Sequence, residues 1–374
     1  MITGMIRNIS GQAMLLNFVR VLTAMTEELF IITSEYFVIS HKGELPETAH
    51  ATGMHRRGAT SIPGRMLSEA LYQAKMCLQI MQIKKRVDII VFFIGFSTLI
   101  LPMLLARLLR KKTLIIAGGK GGVLGRTVFQ GTFPFLDIVG ILRRTQFQLA
   151  HKIVVYTESL VKEFGLERHK KKLLIGQRHF LYESFRIQNR FAERENMVGY
   201  VGPINKNKGI VSFIEAIPVI LDKNNTLRFL IVGGDGELWE DIKADQTMKR
   251  LMRDNKIQVT GWVPHEEIPR YLNELKLMVL PSATEGLPNV ILEAMACGTP
   301  VLAAPVGSIP DVIKDRETGF ILPENSASSI AENVLEALQH PDIDTVVTKA
   351  RALIDRDYTY EAAVARFERI LAEL

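Results

Sequence analysis

The sequence predicts an α/β protein built from two doubly wound, Rossmann-like domains in tandem. Three observations carry this. The chain has 374 residues, more than one ordinary core accommodates at about 150 residues per domain. Short apolar runs of strand length alternate with helical stretches, as a parallel sheet covered on both faces requires. The composition is 47% apolar and 23% charged, which suits a globular enzyme and excludes disorder, collagen-like repeats and coiled coil. Two cysteines, Cys77 and Cys297, exclude a disulfide framework and a four-thiolate zinc site. The start, MITGMIRNIS, has no long apolar run and no small-residue cleavage site. No signal peptide is expected, hence a cytoplasmic protein with reduced thiols.

In the first half, ELFIIT (28–33), DIIVFF (88–93), TLIIA (113–117) and KIVVY (152–156) read as strands. Helical patterns lie at 17–25 and 68–84. MITGMI is a poor opening strand. Residues 89–106 carry no charge over 18 positions, the lower limit for a membrane span. However, Gly95, Ser97, Thr98 and Pro102 interrupt the run, and basic residues flank it on both sides. It therefore reads as a buried strand, a turn and a helix. Residues 186–197 are polar, without apolar periodicity, and read as a linker. That sets a first domain at 1–196 and a second at 197–355. A terminal helix over 356–374 is expected to cross back to the first domain.

The second half alternates more cleanly. VGYVG (198–202), RFLIVG (228–233), KIQVTG (256–261), LMVLPS (277–282) and PVLAAP (300–305) read as buried strands. Helices are expected at 210–221 with a kink at Pro218, from about Glu237, and from about Pro288 to Cys297. Right-handed crossovers make both sheets doubly wound.

Charge is uneven. Residues 1–196 hold 28 basic and 14 acidic residues, a net of +14, whereas 197–374 hold 18 and 26, a net of −8. The basic half suggests an anionic partner: a membrane surface, a phosphorylated acceptor or nucleic acid. The alternative is a solvated basic face with no partner.

The most informative segment is EGLPNVILE, with Glu285 and Glu293 separated by seven residues. It follows the strand LMVLPS, and the carboxyl ends of strands are where doubly wound sheets bind ligands. Pro288 suits the first turn of a helix beginning near Leu287. The N–H groups there form an anion site that fits a diphosphate. Other signals are weaker. GGKGG (118–122) reads equally as a phosphate nest and as a flexible loop, and it lacks the Walker A spacing. GGDG (233–236) reads as a tight turn with Asp235 as a helix cap. The eight histidines show no metal-ligand spacing, and HEEIP (265–269) is not a zinc motif. Cys297, at an apolar helix end, reads as packing.

PSATEGLPNVILEAMACGTPV resembles the signature of the family-4 glycosyltransferases of the GT-B fold. VGSIPDVIKDRETGFIL, FLIVGGDGE and VTGWVPHEEIP extend the match, dense over 198–323 and looser through the first half. The resemblance implies two Rossmann-like domains facing a cleft. It implies transfer of a sugar from a nucleotide-sugar donor to a saccharide or lipid-linked acceptor, with retention of anomeric configuration, in polysaccharide biosynthesis. It places Glu293 on the ribose hydroxyls, Glu285 near the donor sugar and Lys208 on the diphosphate. Main-chain N–H groups of Gly286, Leu287 and Asn289 complete the phosphate cradle. Trp262 and Val263 lie beside the base, and Gly11, just before the first helix, faces the diphosphate. No cofactor and no metal are expected, and no nucleic-acid partner. The basic first domain is expected to hold the acceptor, peripherally on an anionic inner membrane face. The sequence departs from the family in two places. Pro203 stands where an arginine is usual, so Lys206 or Lys120 is expected to supply the missing charge. Ala117 and Gly118 stand where the first domain often has a histidine. The departures keep two rivals open: a non-catalytic nucleotide-sugar or saccharide-binding relative, and a GT-B sugar-nucleotide epimerase.

Overall fold

The computed structural model describes the chain except residues 4–8, 56–57, 59, 95–98, 118–137, 177–181 and 235. The chain divides into two units: Met1–Arg178 with Tyr360–Leu374, and His179–Thr359.

The first unit holds a seven-stranded sheet in the order β3-β2-β1-β4-β5-β6-β7. The strands are β1 (Ile2–Thr3), β2 (Leu29–Ser34), β3 (Ala49–Met54), β4 (Ile89–Ile94), β5 (Lys112–Ala117), β6 (Lys152–Val155) and β7 (Leu173–Ile175). Every neighbouring pair is parallel. The weak start MITGMI does supply a central strand: Ile2 pairs with β2 and β4, and Thr3 with β4. β3, AHATGM, is polar because it is an edge strand. The uncharged run 89–106 is divided between β4 and the helix Ile100–Leu108.

Helices Ile62–Ile83, Ile100–Leu108 and Ile138–Leu149 cover one face of this sheet. Tyr72, Met76, Ile80, Met103 and Phe147 pack there with Ile90, Phe92, Ile115 and Ile153. The other face is covered by Ile9–Thr23 and the C-terminal helix Tyr360–Ala372. Phe18 lies between Phe93 and Phe367, with ring centroids at 5.4 and 5.0 Å. Polar contacts also tie the C-terminal helix down. Tyr360 Oη donates to Arg20 O at 3.1 Å, Arg366 Nε donates to Ile175 O at 2.8 Å, and Lys152 pairs with Glu373 at 2.9 Å.

The second unit holds a six-stranded parallel sheet in the order β10-β9-β8-β11-β12-β13. Its strands are β8 (Met197–Val201), β9 (Arg228–Val232), β10 (Ile257–Val259), β11 (Leu277–Leu280), β12 (Val301–Ala303) and β13 (Phe320–Ile321). Strands β8 and β11 are buried at every position, as a sheet covered on both sides demands.

The boundary is not where the linker reading put it. Residues 182–196 belong to the second unit, and their polar side chains are used there. Asn273, buried on helix Ile268–Glu274, accepts from Gln188 N at 2.7 Å and donates to Arg186 O at 3.0 Å. Arg194 is 5% exposed and Phe185 is 1% exposed. A stretch without apolar periodicity can be docked by a few buried polar anchors, which periodicity does not register.

Candidate functional site

Sheet order locates the site in the second unit. Chain connections leave β8 toward β9 on one side, while β11 lies on its other side. The β8/β11 border is thus a topological switch point, where the loops after the two strands diverge and leave a crevice. Those loops carry Lys208 and Glu285.

Lys208 closes a short 3₁₀ turn, Lys206–Lys208, and Gly209 follows with φ +69°. A Cβ on Gly209 would stand 1.9 Å from Pro281 O, so only glycine lets the turn lie against the β11 loop. Ala283 N donates to Asn207 O at 2.8 Å across the same gap. Glu285 is fixed from below: Gly307, at φ +59°, passes so close that a Cβ would meet Glu285 O at 2.2 Å. Ser308 N donates to Gly286 O at 2.8 Å. Lys208 Nζ then meets Glu285 Oε1 at 2.6 Å, with the glutamate side chain only 7% exposed.

Beyond Glu285 the helix Asn289–Ala296 begins. It starts later than the expected Leu287, because Pro288 keeps an extended ψ of 132° and occupies the N-cap position. Proline has no side chain to cap the first turn, so that turn relies on other acceptors. At the far end the helix meets two guanidinium groups. Arg194 Nη2 donates to Cys297 O at 2.6 Å, and Arg351 Nη1 donates to Ala296 O. Positive charge at a helix C-terminus complements the macrodipole, whose positive end lies at the Asn289 end. Burial lowers the Arg194 pKa to about 10 and raises the Cys297 thiol to about 12. Arg194 stays charged at neutral pH, and Cys297 is an inert packing thiol, as expected.

Glu293 lies on this helix, 4% exposed. Its Oε1 is 2.9 Å from His265 Nε2. That hydrogen bond raises the His265 pKa, against the opposing effect of burial. The His265 ring packs on Phe185 at 5.3 Å between centroids. Trp262 and Val263 precede His265 in the same turn, and Trp262 is exposed. Gly233 N donates to Gly261 O at 3.1 Å, drawing the loops after β9 and β10 together.

The structure therefore pairs Lys208 with Glu285 and places Gly286, Leu287 and Asn289 on the segment leading into the Glu293 helix. Lys206 is exposed at the start of the Lys208 turn, and its N–H donates to Glu237 Oε1 at 3.2 Å. Pro203, in the arginine's place, accepts from Tyr200 Oη through its carbonyl at 2.7 Å. Gly11 is corrected: it lies inside helix Ile9–Thr23, not before it. The helix begins eight residues earlier than its apolar pattern suggests. Lys120, with the whole GGKGG loop, and Asp235 lie outside the described residues. Sequence reasoning missed His265, Phe185 and Arg194. The HEEIP segment lacks metal spacing, and its histidine serves a carboxylate instead. Among the described residues no group of three or more His, Cys, Asp or Glu side chains is arranged to hold a metal.

Residues 182–355 match the sequence model of the family described as glycosyl transferases group 1. The amylovoran biosynthesis glycosyltransferase AmsK of Erwinia amylovora is 28% identical over 225 residues, covering 57% of this chain and 50% of AmsK. The alpha-D-kanosaminyltransferase of Streptomyces kanamyceticus is 31% identical over 179 residues, covering 48% of this chain and 46% of that relative. The chain spans about half the length of the curated relatives it matches. The crystal structure of Anabaena Alr3699/HepE in complex with UDP matches with a TM-score of 0.76 at 14% identity, covering 100% of this chain and 99% of that one. At that identity the likeness establishes a shared fold.

Proposed function

We propose, from a chain whose residues 182–355 match the model of the glycosyl transferases group 1 and whose fold is GT-B, that it transfers a sugar from a nucleotide-sugar donor to a saccharide or lipid-linked acceptor. The observation that carries this is the set at the β8/β11 switch point: Lys208 on Glu285, then a helix N-terminus, then the buried Glu293. A nucleoside diphosphate fits that set. Its phosphates take the helix N-terminus and Lys208, with Lys206 supplying the charge that Pro203 lacks. Its ribose hydroxyls donate to Glu293, whose other partner, His265, holds the carboxylate in place. Trp262 and Val263 border the base.

The chemistry is loss of the diphosphate from the anomeric carbon. Negative charge grows on the departing oxygen, where preoriented cations and N–H dipoles stabilise it. Glu285 holds Lys208 until the donor arrives and then borders the sugar. The resemblance to the family implies retention: the acceptor oxygen bonds to the anomeric carbon on the face the diphosphate leaves, and its proton passes to the departing phosphate oxygen. Positive charge comes from side chains and the helix, so chelation of divalent metals is expected to leave turnover unchanged. Relatives named for amylovoran biosynthesis and for capsular polysaccharide biosynthesis favour an acceptor in polysaccharide assembly, met at the inner membrane face by the basic first unit.

The test is calorimetric titration with UDP-, GDP- and ADP-sugars, UDP first because a structural neighbour holds it. One nucleotide class should bind wild type and lose about tenfold or more in Glu293→Ala. Nucleoside diphosphate release that depends on acceptor then separates transfer from epimerisation and from binding without turnover.

A further inference from the structure

We propose that the outer face of helices Ile62–Ile83, Ile100–Leu108 and Ile138–Leu149 docks on an anionic phospholipid bilayer. This deepens the membrane association suggested above and rests on that reading for its purpose, though its geometry is independent of the donor site.

The helix Ile62–Ile83 is apolar on two opposite sides. Tyr72, Met76 and Ile80 point into the core, all under 4% exposed. Leu67, Leu71 and Leu78 are 54–64% exposed, at spacings of four and seven that set them opposite the buried stripe. A surface helix normally has one apolar stripe, facing its own core, so a second stripe on the opposite side calls for a partner. Its neighbour repeats the pattern: Met103 and Ala106 face inward, while Leu101, Leu104 and Leu108 are 45–80% exposed. The two helices are joined where Leu101 N donates to Gln73 Oε1 at 3.0 Å, and all three helices pack on the same side of the sheet. Among the described residues, the exposed large apolar side chains elsewhere occur singly or, like Tyr36 and Ile39, as a pair. Contiguous exposed patches of this kind mark interaction surfaces.

Charge selects the partner. Segments 62–86, 100–112 and 138–149 hold eleven basic residues and one acidic residue, Glu69. Glu69 accepts from Gln73 Nε2 at 3.1 Å. Lys75, Arg110, Lys111, Arg143 and Arg144 make no ion pair among the described residues. The spacing of Leu67, Leu71 and Leu78 also suits a helical partner, such as a second copy of this chain, but a second copy would set basic residues against basic residues. A bilayer with anionic headgroups satisfies both features: leucines enter the acyl boundary, and Lys and Arg reach the phosphates. Among the described residues no helix is long and apolar enough to cross a membrane, so this face lies on the bilayer.

The experiment floats the full chain with vesicles of phosphatidylcholine alone and of phosphatidylcholine with phosphatidylglycerol. Binding to the anionic vesicles should be about tenfold or more stronger and should weaken with added salt. The exposed triple variant Leu71→Gln/Leu78→Gln/Leu104→Gln should fall to the level seen on neutral vesicles. Lys75→Gln/Arg143→Gln/Arg144→Gln should lose severalfold on anionic vesicles only. No binding to anionic vesicles, or a leucine variant that binds like wild type, overturns the proposal. So does a stable dimer by light scattering that the leucine variant converts to monomer. Donor titration on the same proteins reads the other site. Lost donor binding with intact flotation removes the transferase reading alone, and the converse removes the docking face alone.

Discussion

Both units are parallel sheets between helices, but they place their unusual chemistry on opposite sides of their surfaces. The second unit buries charge. The Glu293 carboxylate and the Arg194 guanidinium sit inside it, each held by named partners, and its net charge is −7 from 19 basic and 26 acidic residues. The first unit exposes apolar surface and carries +13, from 27 basic and 14 acidic residues. Buried charge is costly unless every partner is in place, so it belongs where a small polar ligand must be met by particular atoms. Exposed leucines amid cations need only an extended surface. The family match follows the same division: it lies wholly within the second unit, whereas structural likeness runs through the whole chain. Atom-by-atom contact constrains residue identity, and a fold alone does so weakly.

The sharpest break of this comparison concerns whether the units are independent. Phe367, on the C-terminal helix, is 1% exposed and packs on Phe18 inside the first unit. Phe367→Ala should destabilise that unit by about 3–5 kcal/mol. Hydrogen exchange resolved by segment should show faster opening across β4, β5 and β6, with protection in β8 and β11 unchanged. Equal loss in both units would mean that they unfold as one body and that their difference is confined to the surface.

Next in size is Lys208. Replacing it by alanine removes the one cation paired to Glu285 among the described residues and leaves a nearly buried carboxylate without that partner. The expected loss in kcat is about 10²–10³-fold, or about 2.7–4 kcal/mol. Lys206→Ala, at an exposed position in the same turn, should cost less than about tenfold. Vesicle binding should not change in either variant. Single-turnover release of nucleoside diphosphate checks the first part. Losses of equal size at both lysines would mean that charge alone is needed at this turn, whatever its placement.

These expectations also show what was readable beforehand. Five of the six strands of the second unit, all but the two-residue β13, were legible, as were the turn carrying Lys208 and the segment from Glu285 to Glu293, because apolar runs and glycine-proline punctuation mark them locally. β3 was not, since an edge strand needs no apolar signature. The start of the Ile62–Ile83 helix was hidden by Pro63 and Gly64, residues that usually end helices. Here Pro63 stands in the first turn and Ser61 caps it, accepting from Gly64 N at 3.3 Å. The docking of 182–196 depends on Asn273 and Arg194, whose partners lie about 80 to 105 positions away in sequence. No local pattern encodes such contacts. His265 escaped for the same reason: its partner, Glu293, is 28 residues distant.

The smallest expected effect is the most specific to the second unit. His265 has its pKa raised by the hydrogen bond to Glu293. A histidine whose folded pKa exceeds its ordinary 6.5 binds its proton more tightly when folded. Its contribution to stability is therefore complete below pH 6.5 and fades as the pH rises through the raised value. The imidazole is about half exposed, so solvent screening keeps the contribution near 0.5 kcal/mol. In urea unfolding, wild type should exceed His265→Gln by about that margin at pH 6, and the margin should shrink toward pH 8. A margin that grows with pH would mean that neutral imidazole is the preferred form and that Glu293 is held by something other than this pair. The same titration should leave the first unit untouched, since no residue of this pair lies in it.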